Sequence, residues 1–163
     1  MYRLRSDARA MGAIGKVVAT SIDEARELLD RMETSWKEGN AIAWAITLRD
    51  DDDRLIGTIG FHRLMKEHFR AEMGYMLHPD HWRKGIMGEA LEAVVDHGFS
   101  RMGLHSIEAN TDPRNTASNS LLRKHGFEQQ GLLRENFHRN GQFLDTAIWS
   151  RINDRDTDAC SPE

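Results

Sequence analysis

Apolar residues recur at two spacings along this chain, and the change from one to the other marks its centre. From Ala71 to Leu77 they fall at every second position, as Ala71, Met73, Tyr75 and Leu77, with Glu72 and Met76 between them, which is the period of a strand. Pro79 and Asp80 break that pattern. From Gly85 the period becomes helical, with Ile86, Ala90, Leu91, Val94 and Val95 on one stripe of a helix over residues 85–100. Between strand and helix stand Arg83, Lys84, Gly85 and Gly88, a short basic loop with two glycines. A glycine lets a ligand come close to the backbone, and the first turn of a helix offers unpaired N–H groups and a partial positive charge. Such a loop suits a pyrophosphate, although many ordinary helices start the same way.

The same two periods organise the rest. Residues 1–19 carry a short helical stretch from Leu4 to Met11 and no strand. Ser21 and Glu24 make a capping box ahead of Ile22, Ala25, Leu28, Leu29, Met32 and Trp36, predicting a helix to about Lys37. Ala41 to Leu48 reads as a strand anchored by Trp44, and Leu55 to His62 as its return across the acidic turn Asp50 to Asp53, a solvated connection rather than a cation site. Residues 63–69 read as a polar loop. Ser106 to Thr111 is the next strand, and the helix before it makes it a candidate parallel partner of the Ala71–Leu77 strand. A helix from about Thr116 to Lys124 stops at Gly126. Phe127 to Phe137 and Gln142 to Arg151 then form a hairpin around Asn140-Gly141. The expected architecture is α/β (α+β), a mixed, mostly antiparallel central sheet flanked by helices, and resemblance to a known family implies that a first strand is missing from it. It forms one domain over residues 1–152, and 153–163 is expected to be a disordered tail. A sheet without its first strand exposes an edge, and exposed edges tend to pair, which allows a homodimer.

Two segments resemble a known family. Ala71, Glu72, Gly74, Tyr75, Pro79, Trp82, Lys84, Gly85, Glu89 and Ala90 are similar to the acetyl-CoA-binding segment of the GNAT acetyltransferases, in their RimJ/RimL-like branch. Asn115 and Ser118, with Leu121, Lys124, Gly126 and Phe127 after them, resemble a second segment of that branch. Trp82 and Met87 depart from the broader superfamily pattern, so a ligand must approach the backbone at Met87 past a side chain. The resemblance spans roughly residues 41–151. It implies a cofactor site built from Met76 and Leu77, from the run Arg83, Lys84, Gly85, Ile86, Met87 and Gly88, and from Asn115 and Ser118. Read without it, Asn115 or Thr116 is a helix N-cap and Ser118 a first-turn residue.

The reaction implied is direct acetyl transfer from acetyl-CoA to a primary amine, either a protein N-terminus or a small-molecule amine. A protonated alkylamine, with a pKa of about 10, cannot attack until a base takes its proton. Glu72 is the catalytic candidate, as a partly buried carboxylate with a raised pKa, and the alternative is a strand Glu facing water. The acid tyrosine of many GNAT enzymes is replaced here by Leu122, which leaves Ser118 as the second catalytic candidate. His62 either lines the acceptor side of the cleft or is an exposed loop residue. The competing function is a non-catalytic acyl-CoA-binding regulatory module. A dinucleotide fold is set aside because Gly85-x-x-Gly88 lacks the first glycine of its fingerprint.

Composition narrows the partners. The chain has 163 residues, a net charge of −4 and one cysteine, Cys160, which offers no disulfide framework or metal cluster. The acidic balance argues against nucleic acid and suits a cationic acceptor. His78-x-x-His81 has no third ligand at a zinc spacing, so no metal is expected. No apolar run approaches the ~20 residues of a membrane span, and a cytoplasmic protein is expected.

Overall fold

Six strands, in the order β1-β2-β3-β4-β6-β5, build one sheet. The computed structural model describes residues 1–139 and 141–154. Two short helices, α1 (Tyr2–Arg5) and α2 (Ala8–Ala13), precede α3 (Ile22–Lys37). Then follow β1 (Ile42–Ile46), β2 (Gly57–Met65), β3 (Arg70–Leu77), α4 (Ile86–Ser100), β4 (Ser106–Thr111), α5 (Thr116–Lys124), β5 (Glu128–Arg139) and β6 (Gln142–Ile152). All strand pairs are antiparallel except β3 with β4, the two joined through α4.

The alternating apolar residues of the strands explain where the core sits. Ile59, Phe61, Ala71, Met73, Leu77, Ile107, Ala109, Ala147 and Trp149 form one buried cluster with Leu91, Val94 and Val95 of α4 and Leu122 of α5. The helix lies close because Gly98 has no side chain: a Cβ there would come 2.9 Å from the Phe61 ring. Met76 points to the opposite face, where it meets Leu4 and Met11 of α1 and α2 in a second, smaller cluster. Alternation along β3 therefore separates an apolar face under α4 from a face that is covered at its Met76 end and polar elsewhere.

Several expectations change. The stretch 63–69 is not a loop: β2 continues to Met65, and a single 3-10 turn, Lys66–His68, leads to Phe69 in the left-handed region (φ 49°). The stripe of α3 is only half used. Ala25 is buried, but Ile22, Leu29 and Trp36 stay exposed, because this helix touches the sheet mainly beside β1. No strand precedes β1 among the described residues, and none pairs with its outer side. At the other end, Asn153 is 6% exposed and its N–H donates to His105 O, so the expected tail does not begin there. Asn140 of the expected turn and residues 155–163, with Cys160, lie outside the described residues. Among the described residues, no helix is long and apolar enough to cross a membrane.

Candidate active site

The sheet divides where the two halves of the motif meet. β3 and β4 pair only from Arg70↔Ser106 to Met73↔Ala109. Beyond Met73, β3 stays with β2 alone, through Gly74↔Gly60 to Leu77↔Gly57, and Asn110 and Thr111 stay with β6 alone. The backbone of Gly74 to Leu77 on that side has no strand partner. Such an edge accepts an extended, amide-bearing ligand, because main-chain groups without ladder partners must be satisfied by something else.

The basic loop opens next to this parting. Arg83 (φ 59°) and Gly85 (φ 80°) are both left-handed, which folds the loop tightly before α4. Only the first demands an explanation, since a left-handed arginine is uncommon. A Cβ at Gly85 would meet nothing within 4 Å, so the backbone angle rather than crowding calls for glycine there. The N–H of Glu89 is bonded to Gly85 O, and the N–H groups of Ile86, Met87 and Gly88 precede the first helical carbonyl partner. Met87 turns its side chain to the core, which frees its backbone on the outside. Gly88 has another reason for being glycine: a Cβ would stand 3.0 Å from His125 Nε2, so α5 packs against the start of α4 at this point. Trp82 is 41% exposed and its indole N–H donates to Leu77 O at 2.8 Å, which ties the loop back to β3.

Ser118 lies across the parting on α5. Its Oγ is 2.6 Å from the hydroxyl of Tyr75, a residue the sequence pattern assigned to the core stripe. Burial pushes the Tyr75 phenol up and the bond to Ser118 opposes it, so the phenol keeps its proton at neutral pH. No tyrosine stands at the Leu122 position, but a phenol reaches this corner of the site from another element. Leu122 is fully buried, and the phenol of Tyr75 arrives at Ser118 from β3. The available signal was the rule that a buried tyrosine hydroxyl finds a partner. Asn115 is the N-cap of α5: its Oδ1 accepts from Ser118 N, and its Nδ2 donates to Ala13 O at the end of α2. Both ends of this amide are thus engaged within the protein. Thr111 and Asn119 share a 2.6 Å bond that holds α5 against β4.

Glu72 stands on the polar face, with its side chain 15% exposed. The expected raised pKa is contradicted. A hydrogen bond from His62 above all, then one from Asn110 and the charge of Arg63, outweigh burial and hold the carboxyl down to about 2. The distances are 3.2 Å to His62 Nε2, 2.9 Å to Asn110 Nδ2 and 3.8 Å to Arg63. Gly74 faces the same imidazole, with His62 Nδ1 3.1 Å from where a Cβ would be. His62 is a strand residue, not a loop residue. His78 caps the turn Pro79–His81. Among the described residues, no group of three or more His, Cys, Asp or Glu is placed to hold a metal.

A parted parallel strand pair, a glycine-led helix start and a hydroxyl pair meet at one junction, which suits an extended ligand with an anionic end, and comparison with known proteins says which family has this fold. Residues 1–128 match the Acetyltransferase (GNAT) domain family. The chain is 42% identical over 136 residues to an uncharacterised N-acetyltransferase, YoaA, of Bacillus subtilis, covering 83% of this chain and 76% of that one. It is 31% identical over 113 residues to the ribosomal protein uS5-alanine N-acetyltransferase of Escherichia coli, covering 69% and 58%. Its fold is similar to the spermidine N-acetyltransferase of Vibrio cholerae solved with CoA and spermine, with a TM-score of 0.81, 22% identity, and 93% and 86% of the two chains covered. The chain belongs to the GNAT acetyltransferase family. It is an N-acetyltransferase that moves an acetyl group from acetyl-CoA to an amine, and the non-catalytic reading finds no support.

Proposed function

We propose that this enzyme, of the RimJ/RimL-like branch, works as one catalytic domain over residues 1–152. Acetyl-CoA lies across the parting of β3 and β4, with its pyrophosphate on the backbone from Arg83 to Gly88 and its thioester near Tyr75 and Ser118. The observation that carries the proposal is the end of β3–β4 pairing at Met73↔Ala109, beside a helix start with free N–H groups. The pantetheine arm then runs along Met76 and Leu77, where β3 has no strand partner on that side. Asn115 serves this site by holding Ser118 in place, since its amide is already bonded on both sides.

The neutral amine attacks the thioester carbon, the N–C bond forms and the C–S bond breaks. The leaving thiolate takes the proton of Tyr75 directly or through Ser118, and the proton that the nitrogen sheds as the amide forms restores the phenol, a modest contribution because a thiol of pKa about 8.5 leaves readily as its anion. The acceptor is a primary amine, a protein N-terminus or a small-molecule amine of the kind the named relatives use. It is placed on the polar face of β3, in a cytoplasmic protein of net charge −4. The bare outer edge of β1 supports self-pairing into a dimer, which light scattering tests.

The test has two arms. Calorimetry with CoA reads binding, and free-thiol release with acetyl-CoA reads turnover across alanine- and serine-initiated peptides and spermidine. Micromolar CoA binding with thiol release that needs one of these amines is expected. No binding, or release indifferent to amine, overturns the proposal.

A further inference from the structure

We infer that His62 is the base that takes the proton of the acceptor amine, and that Glu72 is its positioning residue. This rests on the acetyl-transfer reading above. The ladder between β2 and β3 pairs Phe61 with Met73 and then Arg63 with Glu72, so His62 is an extra residue in a β-bulge. A bulge re-aims a side chain that regular pleating would send elsewhere. Here it sets the imidazole over Gly74, the first residue of β3 beyond the parting, with Nδ1 3.1 Å from where a Cβ would be. The other ring nitrogen, Nε2, is 3.2 Å from Glu72 Oε1.

The two groups have unlike freedom. Both oxygens of Glu72 face donors: His62 and Asn110 on Oε1, Arg63 near Oε2. Asn110 also reaches Glu108 at 3.3 Å, and Glu108 is held by Arg70 at 2.6 Å. A carboxylate committed in this way is a poor acceptor for an ammonium proton. A neutral His62 that donates Nε2–H to Glu72 keeps a lone pair on Nδ1, on the side of Gly74. The carboxylate selects the tautomer and the bulge selects the direction.

The step balances as follows. Nδ1 takes one proton from R–NH3+, leaving the lone pair on the amine and an imidazolium whose Nε2–H stays on Glu72. The amine attacks the acetyl carbon, and C–S cleavage releases the thiolate. The second nitrogen proton leaves as the amide forms, one proton ends on the thiol, and His62 returns the other to water.

His62→Ala and Glu72→Gln separate the roles, with one amine acetylated in the panel above as probe. His62→Ala is expected to lower kcat by roughly 10²–10⁴-fold with CoA affinity unchanged, and added imidazole to restore part of the rate. Glu72→Gln lowers kcat less, and imidazole does not restore it. Nitrogen NMR of histidine-labelled protein, which needs no acceptor, should find neutral His62 protonated at Nε2, with that tautomer no longer uniform in Glu72→Gln. Wild-type kcat in His62→Ala, or Nδ1–H on neutral His62, overturns the inference. Loss of CoA binding in the wild-type protein would instead overturn the cofactor site.

Discussion

The two faces of β3 are made from one strand and do opposite things. Ala71, Met73 and Leu77 go under α4 at 8% exposure or less, within one apolar cluster. Glu72 and Gly74 face the other way, where hydrogen bonds and ion pairs tie Glu72 to His62, Arg63 and Asn110. The first face is held by burial, which is roughly proportional to area and tolerant of detail. The second is held by direction and charge, which are not. Substitutions on the first should cost folding and on the second turnover, with the cofactor loop at the end of both.

The sharpest way to break this contrast is Phe61→Ala. Its ring is fully buried against Trp44 and Gly98, and removal should cost about 3–5 kcal/mol, read as a lower urea midpoint. A variant of wild-type stability would mean that the apolar face is not what holds the sheet. Next comes Gly85→Glu, which places an anion and a strained left-handed residue at the start of α4. CoA affinity should fall by about 10²-fold, or nearly 3 kcal/mol, with the circular dichroism unchanged. Arg83→Ala should lose far less, and less again in salt, since exposed charges are screened.

Tyr75→Phe tests the residue of the apolar face that carries a polar group, with its ring against the core and its hydroxyl on Ser118. It should lower kcat about tenfold while stability moves by about 1 kcal/mol or less. If stability falls and kcat does not, the phenol is a packing element. The smallest effect is acid sensitivity on the polar face. Glu72 is held down to about 2, below the ordinary 4.5, so its contribution is present above 4.5 and lost as pH falls toward 2. The stability difference between the wild type and Glu72→Gln should narrow across that window, from about 1 kcal/mol or less, since His62 and Arg63 are largely exposed to water.

What could be read in advance divides along the same line. The stripe of α4, the strand Ala71–Leu77, its parallel partner and the final hairpin all follow from spacing, because a buried face repeats at the period of its element. The basic loop was legible from its glycines. Tyr75 was misread because its position fits the apolar stripe, and nothing local shows that α5, more than forty residues later, brings Ser118 to its hydroxyl. Glu72 was given the wrong proton affinity for the same reason. Its donors come from β2 and β4, and only strand register brings them to one carboxylate. The extension of β2 to Met65 was hidden by the polar residues that make its bulged half face water.

The bulge has a consequence for how this enzyme can change. In a regular strand, odd and even positions are sorted to opposite sides, so neighbours in sequence never serve the same target. By counting one residue too many, β2 lets His62 and Arg63, consecutive and both exposed, meet the two oxygens of a single carboxylate. Deleting one residue here would restore a regular ladder, with Arg63 still opposite Glu72, and leave that carboxylate one neighbour instead of two, while replacing any one residue leaves the arithmetic intact. Variation in this segment should therefore run through substitutions at fixed length, with insertions and deletions diverted to the turn between β1 and β2.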